Sequence, residues 1–390
     1  MSECDDQFEA FACNLIEQLH KQESIPSSAR SVDGNVLSLG NLKVNLRSLY
    51  RTYALQSPEL QAQQLQSFVN CLARGREGVD DHETFADVKA HLRPKLWPRT
   101  MISLEGFDIP FCLVGEHLVL SVVYDTPSMM QSVNWSRFNK WGIAFSEALR
   151  CAFENIEPAS TYAGVSRKDG GPGHCSDATY DNYGNARFLT DRPYSLYSIG
   201  YPRWAFPGGR DVCTICQADQ PEDIEFNIEM ALSLGDDDPK PLPPFPLVDH
   251  GQGWINWYGE PGSPAARMLK RRQFDYALSV SERQTYYLQS TADGRNDFSL
   301  VESLIADKSS ADSHDPKSTT KWWADCECLL PTADFIIFPD RNGFKFAWND
   351  VIKVCGDRLM PAEGLYPSRW RTNGSPTEHE LEALERMACE

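Results

Sequence analysis

The stretch FCLVGEHLVLSVVY, residues 111–124, gives the clearest indication of fold in this sequence. Two apolar runs, residues 111–114 and 118–124, flank a short loop that contains Gly115-Glu116. Apolar runs joined by a short loop with a glycine are typical of a β-hairpin. We therefore predict two paired strands here, with the second strand ending at Asp125-Thr126-Pro127.

A second hairpin is predicted near the C-terminus. Residues 335–338 (FIIF) and 344–348 (FKFAW) flank the segment Asp340-Arg341-Asn342-Gly343. An Asn-Gly pair favours the tight turn between two antiparallel strands, because both residue types tolerate a positive φ. Strand character is accordingly expected across residues 322–371.

Stretches with helical periodicity separate these strand signals. Helices are predicted over residues 7–23, 221–234 and 264–288, and in the first of them apolar residues such as Phe8 and Leu15 recur at helical spacing. The strands and helices interleave without the regular alternation of a parallel βαβ fold. The predicted fold class is α+β, with mixed or antiparallel sheets and packed helices.

The chain is too long for one ordinary core. It has 390 residues, whereas single hydrophobic cores stop growing near ~250–300 residues. We predict two main domains followed by a C-terminal β-rich appendage. The N-terminal α+β domain, the second α+β domain, the β-hairpin segment and the tail helix are predicted at residues 1–160, 161–305, 321–372 and 373–390.

Two polar stretches indicate a loop and a helix start. Residues 161–185 are rich in Gly, Ser, Asp and Tyr, with Gly170-Gly171-Pro172-Gly173 at their centre, and are predicted to form a long surface loop. Ser375-Pro376-Thr377-Glu378 has the spacing of a capping box, with proline in the first turn. The tail helix is therefore predicted to begin at this segment.

Composition narrows the possible partners and location. Hydrophobic residues make up 41% of the chain, which is enough to build cores. A net charge of −18 repels phosphate backbones and anionic membranes, so neither nucleic acid nor membrane is an expected partner. The first residues are acidic, and no apolar run reaches the ~20 residues of a membrane span. We expect a cytoplasmic protein with reduced cysteines.

Two cysteine pairs are the strongest candidates for a metal site. Cys213-x-x-Cys216 lies in a predicted strand, where residues three apart point to opposite faces. Cys326-x-Cys328 shares one face of its strand, but no second pair lies at the spacing of a zinc knuckle. The favoured interpretation is that all four are core or surface thiols, and no cofactor is expected.

The strings that identify common enzymes are absent, including the nucleophile elbow, the phosphate loop and the zinc-protease motif. The best remaining polar site is Gly208-Gly209-Arg210-Asp211 at a strand entrance. Arg210 can bind a carboxylate with two hydrogen bonds, and Asp125 is placed similarly after its own strand. These residues could line a cleft; alternatively, Asp125 and Asp211 cap turns and Arg210 pairs with an acid.

Aromatic residues are concentrated in stretches that look like loops. Tyr258 and Tyr366 lie among them, and the tryptophans are Trp254, Trp257, Trp322, Trp323 and Trp370. Trp, Tyr and Arg are the usual anchors of protein interfaces. These rings are therefore candidate partner-binding residues, although they could instead seal one domain against another.

An order of weaker motifs resembles a known family. The upstream elements are Val44-x-Leu46-x-x-Leu49-Tyr50, a helix with Phe68-Val69, the strand 118–125, and Trp141-Gly142 before a helix. A proline with an aromatic residue, then Gly208-Gly209-Arg210-Asp211, a short strand and a helix follow over residues 202–234. Over roughly residues 1–290 this order resembles the YtpQ-like bacterial family of domains of unknown function.

The resemblance implies a cytosolic bacterial protein and supplies no catalytic residue. This sequence has Gly208-Gly209 where the family has Pro-Asn before Arg-Asp, which puts any role for that turn in doubt. It also continues beyond residue 320 with a segment that the resemblance does not cover.

Taken as a whole, the sequence predicts a non-enzymatic protein-interaction or regulatory module whose partner is another protein. The alternative is a hydrolase-type enzyme with a cleft around Asp125, Arg210 and Asp211. Whether the protein binds a small molecule stays open at this level.

Overall fold

A computed structural model describes most of the chain. The described residues are 3–21, 30–33, 36–39, 42–54, 56–76, 84–105, 108–126, 129–165, 174–179, 181–209, 212–217, 221–236, 242–290, 300–307, 310, 315–341 and 343–388. The chain divides into two compact units, which are Met1–Arg93 with Val122–Asn155, and Pro94–Ser121 with Ile156–Glu390. The four segments predicted from sequence as domains stay predictions.

The helices are distributed along the whole described chain. They are α1 (Glu3–His20), α2 (Leu46–Ala54), α3 (Pro58–Arg76), α4 (Phe85–Val88), α5 (Arg99–Glu105), α6 (Trp135–Trp141), α7 (Phe145–Ile156), α8 (Gly184–Arg187), α9 (Arg192–Leu196), α10 (Pro221–Asp236), α11 (Pro264–Ser290), α12 (Trp348–Cys355) and α13 (Glu378–Ala388). Short 3-10 turns follow α4 and α12, at Lys89–His91 and Gly356–Arg358.

The strands lie between these helices. They are β1 (Arg30–Asp33), β2 (Val36–Leu39), β3 (Leu42–Asn45), β4 (Leu92–Pro98), β5 (Cys112–Val114), β6 (Leu118–Thr126), β7 (Met129–Ser132), β8 (Tyr162–Val165), β9 (His174–Asp177), β10 (Arg203–Pro207), β11 (Cys213–Cys216), β12 (Leu247–Asp249), β13 (Trp254–Asn256), β14 (Leu300–Val301), β15 (Ile305–Ala306), β16 (Ser318–Lys321), β17 (Cys328–Pro331), β18 (Phe335–Phe338), β19 (Phe344–Ala347), β20 (Leu359–Ala362) and β21 (Arg369–Thr372).

The described residues of the first unit form two apolar cores. One joins α1, α2 and α3 through residues that include Phe11, Leu15 and Val69, beside the small antiparallel sheet β1-β2-β3. The other packs residues of α6 and α7 around Phe138 and Ala152. The predicted N-terminal helix is confirmed, and its buried positions follow the expected helical spacing.

The hairpin predicted over residues 111–124 is confirmed. Strands β5 and β6 pair antiparallel, with Val114 opposite Leu118 and Cys112 opposite Leu120. Residues 118–123 of β6 are buried at every position, which explains why all of them except Ser121 are apolar. The loop between the strands carries Glu116 and His117.

A six-stranded antiparallel sheet forms the centre of the second unit, in the order β13-β12-β10-β11-β9-β8. Helices α10 and α11 cover one face of it with residues such as Ile228 and Leu269. The long loop predicted at residues 161–185 is wrong, because β8 and β9 pair there with Val165 opposite His174. Its four central glycine and proline residues lie outside the described residues.

The C-terminal part of the second unit contains two mixed sheets, β14-β17-β21-β20 and β15-β16-β18-β19. The predicted hairpin is confirmed as β18 and β19, with Phe338 opposite Phe344. The capping box of α13 lies two residues later than predicted. The Thr377 hydroxyl and backbone N–H bond the Glu380 carboxylate, and the Glu380 N–H donates to the Thr377 hydroxyl.

The α+β class is therefore confirmed, with antiparallel and mixed sheets beside packed helices. Within the described ranges, no helix combines the length and the apolar character needed to cross a bilayer.

Candidate functional site around His117

The loop between β5 and β6 lies against the edge strand β13. Gly115 has φ +63°, and a Cβ at this position would lie 2.5 Å from Oδ1 of Asn256. Only glycine fits such a position without both backbone strain and collision. The next backbone N–H, of Glu116, donates to the same Asn256 oxygen at 2.5 Å. Glycine thus lets the hairpin loop join β13.

The His117 ring is held on three sides. It stacks on Phe245 with ring centroids 3.7 Å apart and planes 19° apart. Its Nδ1 is hydrogen-bonded to the Tyr366 hydroxyl, and its Nε2 lies 3.1 Å from the Tyr258 hydroxyl. The Tyr258 hydroxyl donates to Oε2 of Glu116 at 2.7 Å. The result is a continuous hydrogen-bonded chain from Tyr366 to Glu116.

The order of donors in this chain can be worked out. Tyr258 has one hydroxyl hydrogen, which goes to the Glu116 carboxylate, so His117 Nε2–H must donate to the Tyr258 oxygen. His117 Nδ1 then accepts from Tyr366. Burial lowers the pKa of His117 to about 4, with the Arg99 charge acting in the same direction and Glu116 opposing it. The imidazole is therefore neutral near neutral pH, as this order requires.

Arg99, the first residue of α5, closes the site from the other side. Its backbone N–H donates to the His117 carbonyl at 2.8 Å, and its guanidinium donates to the Glu116 carbonyl at 3.2 Å. The guanidinium carbon lies 4.0 Å from the centroid of the Tyr366 ring, a cation–π distance. Tyr366 is only 7% exposed, and burial raises the pKa of its hydroxyl.

The chain of hydrogen bonds runs from the interior to the surface. Tyr366 is buried, whereas Tyr258 is 48% exposed and Glu116 is exposed. Burial and the hydrogen bond to Glu116 raise the pKa of Tyr258, so its hydroxyl stays protonated. Such an arrangement can hold the Tyr258 ring in one orientation, and it can also pass a proton.

Large apolar side chains are exposed on the two segments that meet at this site. Leu113 in β5 is 53% exposed and Phe111 just before it is 43% exposed, while Ile255 in β13 is 55% exposed. These segments are joined by the bond between Glu116 and Asn256. We call the set of Phe111, Leu113, Glu116, Ile255 and Tyr258 the Tyr258 surface.

The site was not predicted from sequence, although its parts were visible. Gly115-Glu116 counted only as a hairpin loop, and Tyr258 and Tyr366 only as two aromatic residues in loops. The one available signal was a Gly-Glu-His loop inside an apolar hairpin. The contacts themselves join residues 141 and 249 positions apart, and no local pattern encodes them.

The polar residues proposed for a hydrolase cleft are not brought together by described residues. Asp125 belongs to the first unit, where it faces Met130 across the β6–β7 pair. Arg210 and Asp211 lie outside the described residues. The Gly208 N–H donates to the Val212 carbonyl at 3.1 Å. The cleft stays a prediction.

Two of the candidate tryptophans belong to the six-stranded sheet region. Trp254 is partly buried and contacts Phe188 edge to face, with centroids 5.0 Å apart. Trp257 is also partly buried and contacts Trp204 edge to face at 5.2 Å. Both rings are therefore partly covered by contacts within the second unit.

The other three tryptophans lie in the C-terminal part. Trp322 is 1% exposed and packs on Phe338, so its ring is part of the core. Trp323 and Trp370 are partly buried, and their indole N–H groups donate to Glu302 at 2.7 Å and to a threonine hydroxyl at 3.1 Å. A role of these rings in partner binding stays a prediction, and Trp322 is the least accessible of them.

The cysteine pairs differ in geometry. Cys213 and Cys216 are both buried in β11, one beside a small internal cavity and the other in the core under α10 and α11. The Sγ atoms of Cys326 and Cys328 lie 3.7 Å apart. In the part of the chain that the structure describes, no three His, Cys, Asp or Glu side chains are grouped as a metal site requires.

A buried ion cluster in the second unit is organised around Arg187. Its guanidinium binds both carboxylate oxygens of Asp181, at 2.7 and 2.5 Å, and lies 3.3 Å from Asp177. Its Nε donates to the Ser160 hydroxyl at 2.7 Å. The adjoining cavity measures about 10 Å³, room for about one water. This geometry suits a structural cluster.

A second buried arginine, Arg369 in β21, has no exposed surface. All five of its N–H groups donate to neutral oxygens, at 2.5 to 3.2 Å. Burial lowers the pKa of this guanidinium to about 10. The acceptors are the side chains of Gln284 and Thr285 and the carbonyls of Ser281, Glu302 and Leu329.

No family model, curated protein or solved structure matches the chain. The resemblance to the YtpQ-like family therefore stays a prediction. Function has to be inferred from the geometry of the chain's own residues.

Proposed function

We propose that the chain is a protein-interaction module and that the Tyr258 surface is where it contacts its partner. The observation that carries the proposal is the exposure of four large apolar side chains on two joined segments, between 43% and 55% each. Large exposed apolar side chains on neighbouring segments mark interaction sites, and these four lie on segments that the hydrogen bond from Glu116 to Asn256 joins. The proposal keeps the cytoplasmic location predicted from the sequence.

The anchor of this surface is held in place before any partner arrives. The Tyr258 hydroxyl is bound by Glu116 and His117, and its ring contacts Phe245 edge to face at 5.6 Å. A tyrosine that is already oriented loses little conformational entropy on binding. Tyrosine is also enriched among the residues that dominate binding energy at interfaces.

Charge indicates the kind of partner. The chain carries a net charge of −18, and the exposed Glu116 carboxylate is hydrogen-bonded to Tyr258. Complementary charge steers association and suppresses partners of like charge. The partner is therefore a protein with a basic surface that presents an apolar group to Tyr258.

Paired serine substitutions test the proposal. The tagged chain is used to purify partners from cells that make it, in three forms: unchanged, Leu113→Ser with Ile255→Ser, and a control with Leu196→Ser and Tyr286→Ser. The control residues are 60% and 66% exposed in the same unit and lie outside the Tyr258 surface. Partner recovery should fall at least about tenfold in the first variant only. Equal recovery from both variants would refute the assignment.

Proton transfer at Tyr258 is a second candidate function. The observation that favours it is the continuous donor order from Tyr366 through His117 and Tyr258 to the exposed Glu116. Groups of this type within hydrogen-bond reach of one another are the components of general acid–base catalysis. The reaction class would be hydrolysis, as in the alternative predicted from sequence.

The two candidates differ in what they require of Tyr258. An interface requires mainly the ring, so Tyr258→Phe, which loses only the orientation that the hydroxyl bonds give, should bind the partner a few-fold more weakly, whereas Tyr258→Ala should not bind it. Proton transfer requires the hydroxyl, so Tyr258→Phe should abolish any turnover of a panel of nitrophenyl carboxylate and phosphate esters. Absence of turnover in the unchanged chain would remove the second candidate.

A further inference from the structure

The sequence Cys326-Glu327-Cys328 bends so that its two thiols face each other. A turn at residues 324–325 precedes a bend at Cys326, and Cys328 is the first residue of β17. The two Sγ atoms are 3.7 Å apart. A disulfide needs the sulfurs about 2.05 Å apart, so closure requires a shift of less than about 2 Å at the bend.

The backbone around this pair is fixed at both ends. The Ala324 N–H donates to Asp340 at 2.8 Å, and the Ala324 carbonyl accepts from the Ser375 hydroxyl. The Cys328 N–H donates to the Thr372 hydroxyl at 2.8 Å. Holding two reacting groups close together raises their effective concentration by orders of magnitude.

The two thiols differ in access. Cys326 is partly exposed, whereas Cys328 is 0% exposed. Burial raises the pKa of Cys328 to about 12, which keeps it a thiol. An oxidant from solution can therefore reach the first sulfur and not the second.

We propose that Cys326 and Cys328 form a redox-active dithiol that closes to a disulfide by exchange with a low-molecular-weight disulfide. The Cys326 thiolate attacks one sulfur of the oxidant, forms a mixed disulfide and releases one small thiol. Cys328 then attacks the Cys326 sulfur and breaks the mixed disulfide, and its proton passes to the departing small thiolate, which leaves as the second small thiol. Two protein thiols are oxidised and one small disulfide is reduced to two thiols.

This inference goes beyond the proposed interaction function and does not depend on it. Thiol pairs that cycle between the two states in a reducing compartment are usually sensors or catalysts. The pair adjoins the core of the C-terminal part, where Trp322 and Cys328 pack in one cluster. Closure would therefore tighten the turn that leads from Trp322 into β17.

Peptide mapping tests the proposal directly. The full-length protein is treated with oxidised glutathione, quenched with acid, alkylated and digested with trypsin. Cleavage after Lys321 and Arg341 releases residues 322–341, which contain both cysteines of the pair and no other cysteine. In the unchanged chain this peptide should be two hydrogens lighter, without glutathione and without alkylation.

Three serine variants make the outcome decisive. Cys328→Ser should stop at a glutathione adduct on Cys326, and Cys326→Ser should carry no adduct on the buried Cys328. Cys355→Ser, which removes a buried thiol of the same core, should close like the unchanged chain. The proposal is overturned if the unchanged chain keeps two free thiols after treatment. It is also overturned if the reaction stops at the glutathione adduct on Cys326 while the far-UV spectrum shows that the protein is folded.

Discussion

Two polar centres of the second unit, around Arg369 and around His117, differ in where their hydrogen bonds lead. Arg369 is wholly buried, and each of its five N–H groups has an oxygen acceptor inside the protein. The hydrogen bonds of His117 instead lead outward, through Tyr258 to the exposed Glu116.

The contrast separates a structural centre from a functional one. A buried network with every partner satisfied rigidifies the fold and offers nothing to solvent. A series of hydrogen bonds that begins at a buried tyrosine and passes through a half-exposed one to an exposed carboxylate couples the interior to the surface. Substitutions at Arg369 should therefore affect stability most, and those at Tyr258 should affect binding most.

Arg369→Met should give the largest loss of stability. It removes five donors and leaves buried acceptors unpaired, which should lower the free energy of unfolding by about 3–5 kcal/mol. Urea unfolding of the variant and of Arg371→Met, on the same strand but partly exposed, would measure the difference. If Arg369→Met lowers the free energy of unfolding by less than ~1 kcal/mol, Arg369 is not the structural centre that the comparison assumes.

Acidification should destabilise the folded chain in part through His117. The folded-state pKa of about 4 lies below the ordinary histidine value of 6.5, so below pH 6.5 the unfolded chain takes up a proton that the folded chain does not. Stability should therefore fall as the pH drops from 6.5 towards 4, by at most about 3 kcal/mol.

His117→Gln isolates this contribution from the carboxylates that titrate in the same range. The free energy of unfolding of the unchanged chain minus that of the variant should shrink as the pH falls through this window. If the difference is independent of pH, the imidazole is not held neutral by its burial.

Tyr366→Phe should have a smaller effect. It removes the hydroxyl that donates to His117 Nδ1 and leaves that nitrogen without its donor, at a cost of about 1–2 kcal/mol. Thermal unfolding beside Tyr286→Phe, a tyrosine 66% exposed, provides the measurement and its control. Equal midpoints for the two variants would show that the hydrogen bond between Tyr366 and His117 contributes nothing measurable to stability.

Tyr258→Phe should have the smallest effect on stability, less than about 0.5 kcal/mol, because water can replace the lost hydroxyl at a half-exposed site. The same unfolding experiment detects it. A loss as large as that of Tyr366→Phe would mean that the tyrosine is fixed for stability and not for contact with a partner.

The predictions that succeeded were those with local signals. Apolar runs on either side of Gly115-Glu116 and of Asn342-Gly343 define both ends of their hairpins, and strands β5, β6, β18 and β19 formed where those runs lie. The α+β class followed from the same patterns. Each of these elements is encoded within about a dozen neighbouring residues.

The predictions that failed depended on distant partners. Strand β9, with the sequence HCSD, has little strand propensity of its own and forms because Cys175 and Ser176 pair with Ile215 and Thr214 of β11. The Tyr258 surface likewise exists only because β13 meets the β5–β6 loop. Sequence periodicity carries no information about either of these contacts between distant segments.

The central claim is that a partner protein covers the Tyr258 surface, and amide hydrogen exchange of the complex tests it most directly. With the partner recovered in the purification experiment, exchange should slow at residues 111–117 and 254–258 and stay unchanged along α11 near Tyr286. Slowed exchange confined to other segments, with 111–117 and 254–258 unaffected, would contradict the account.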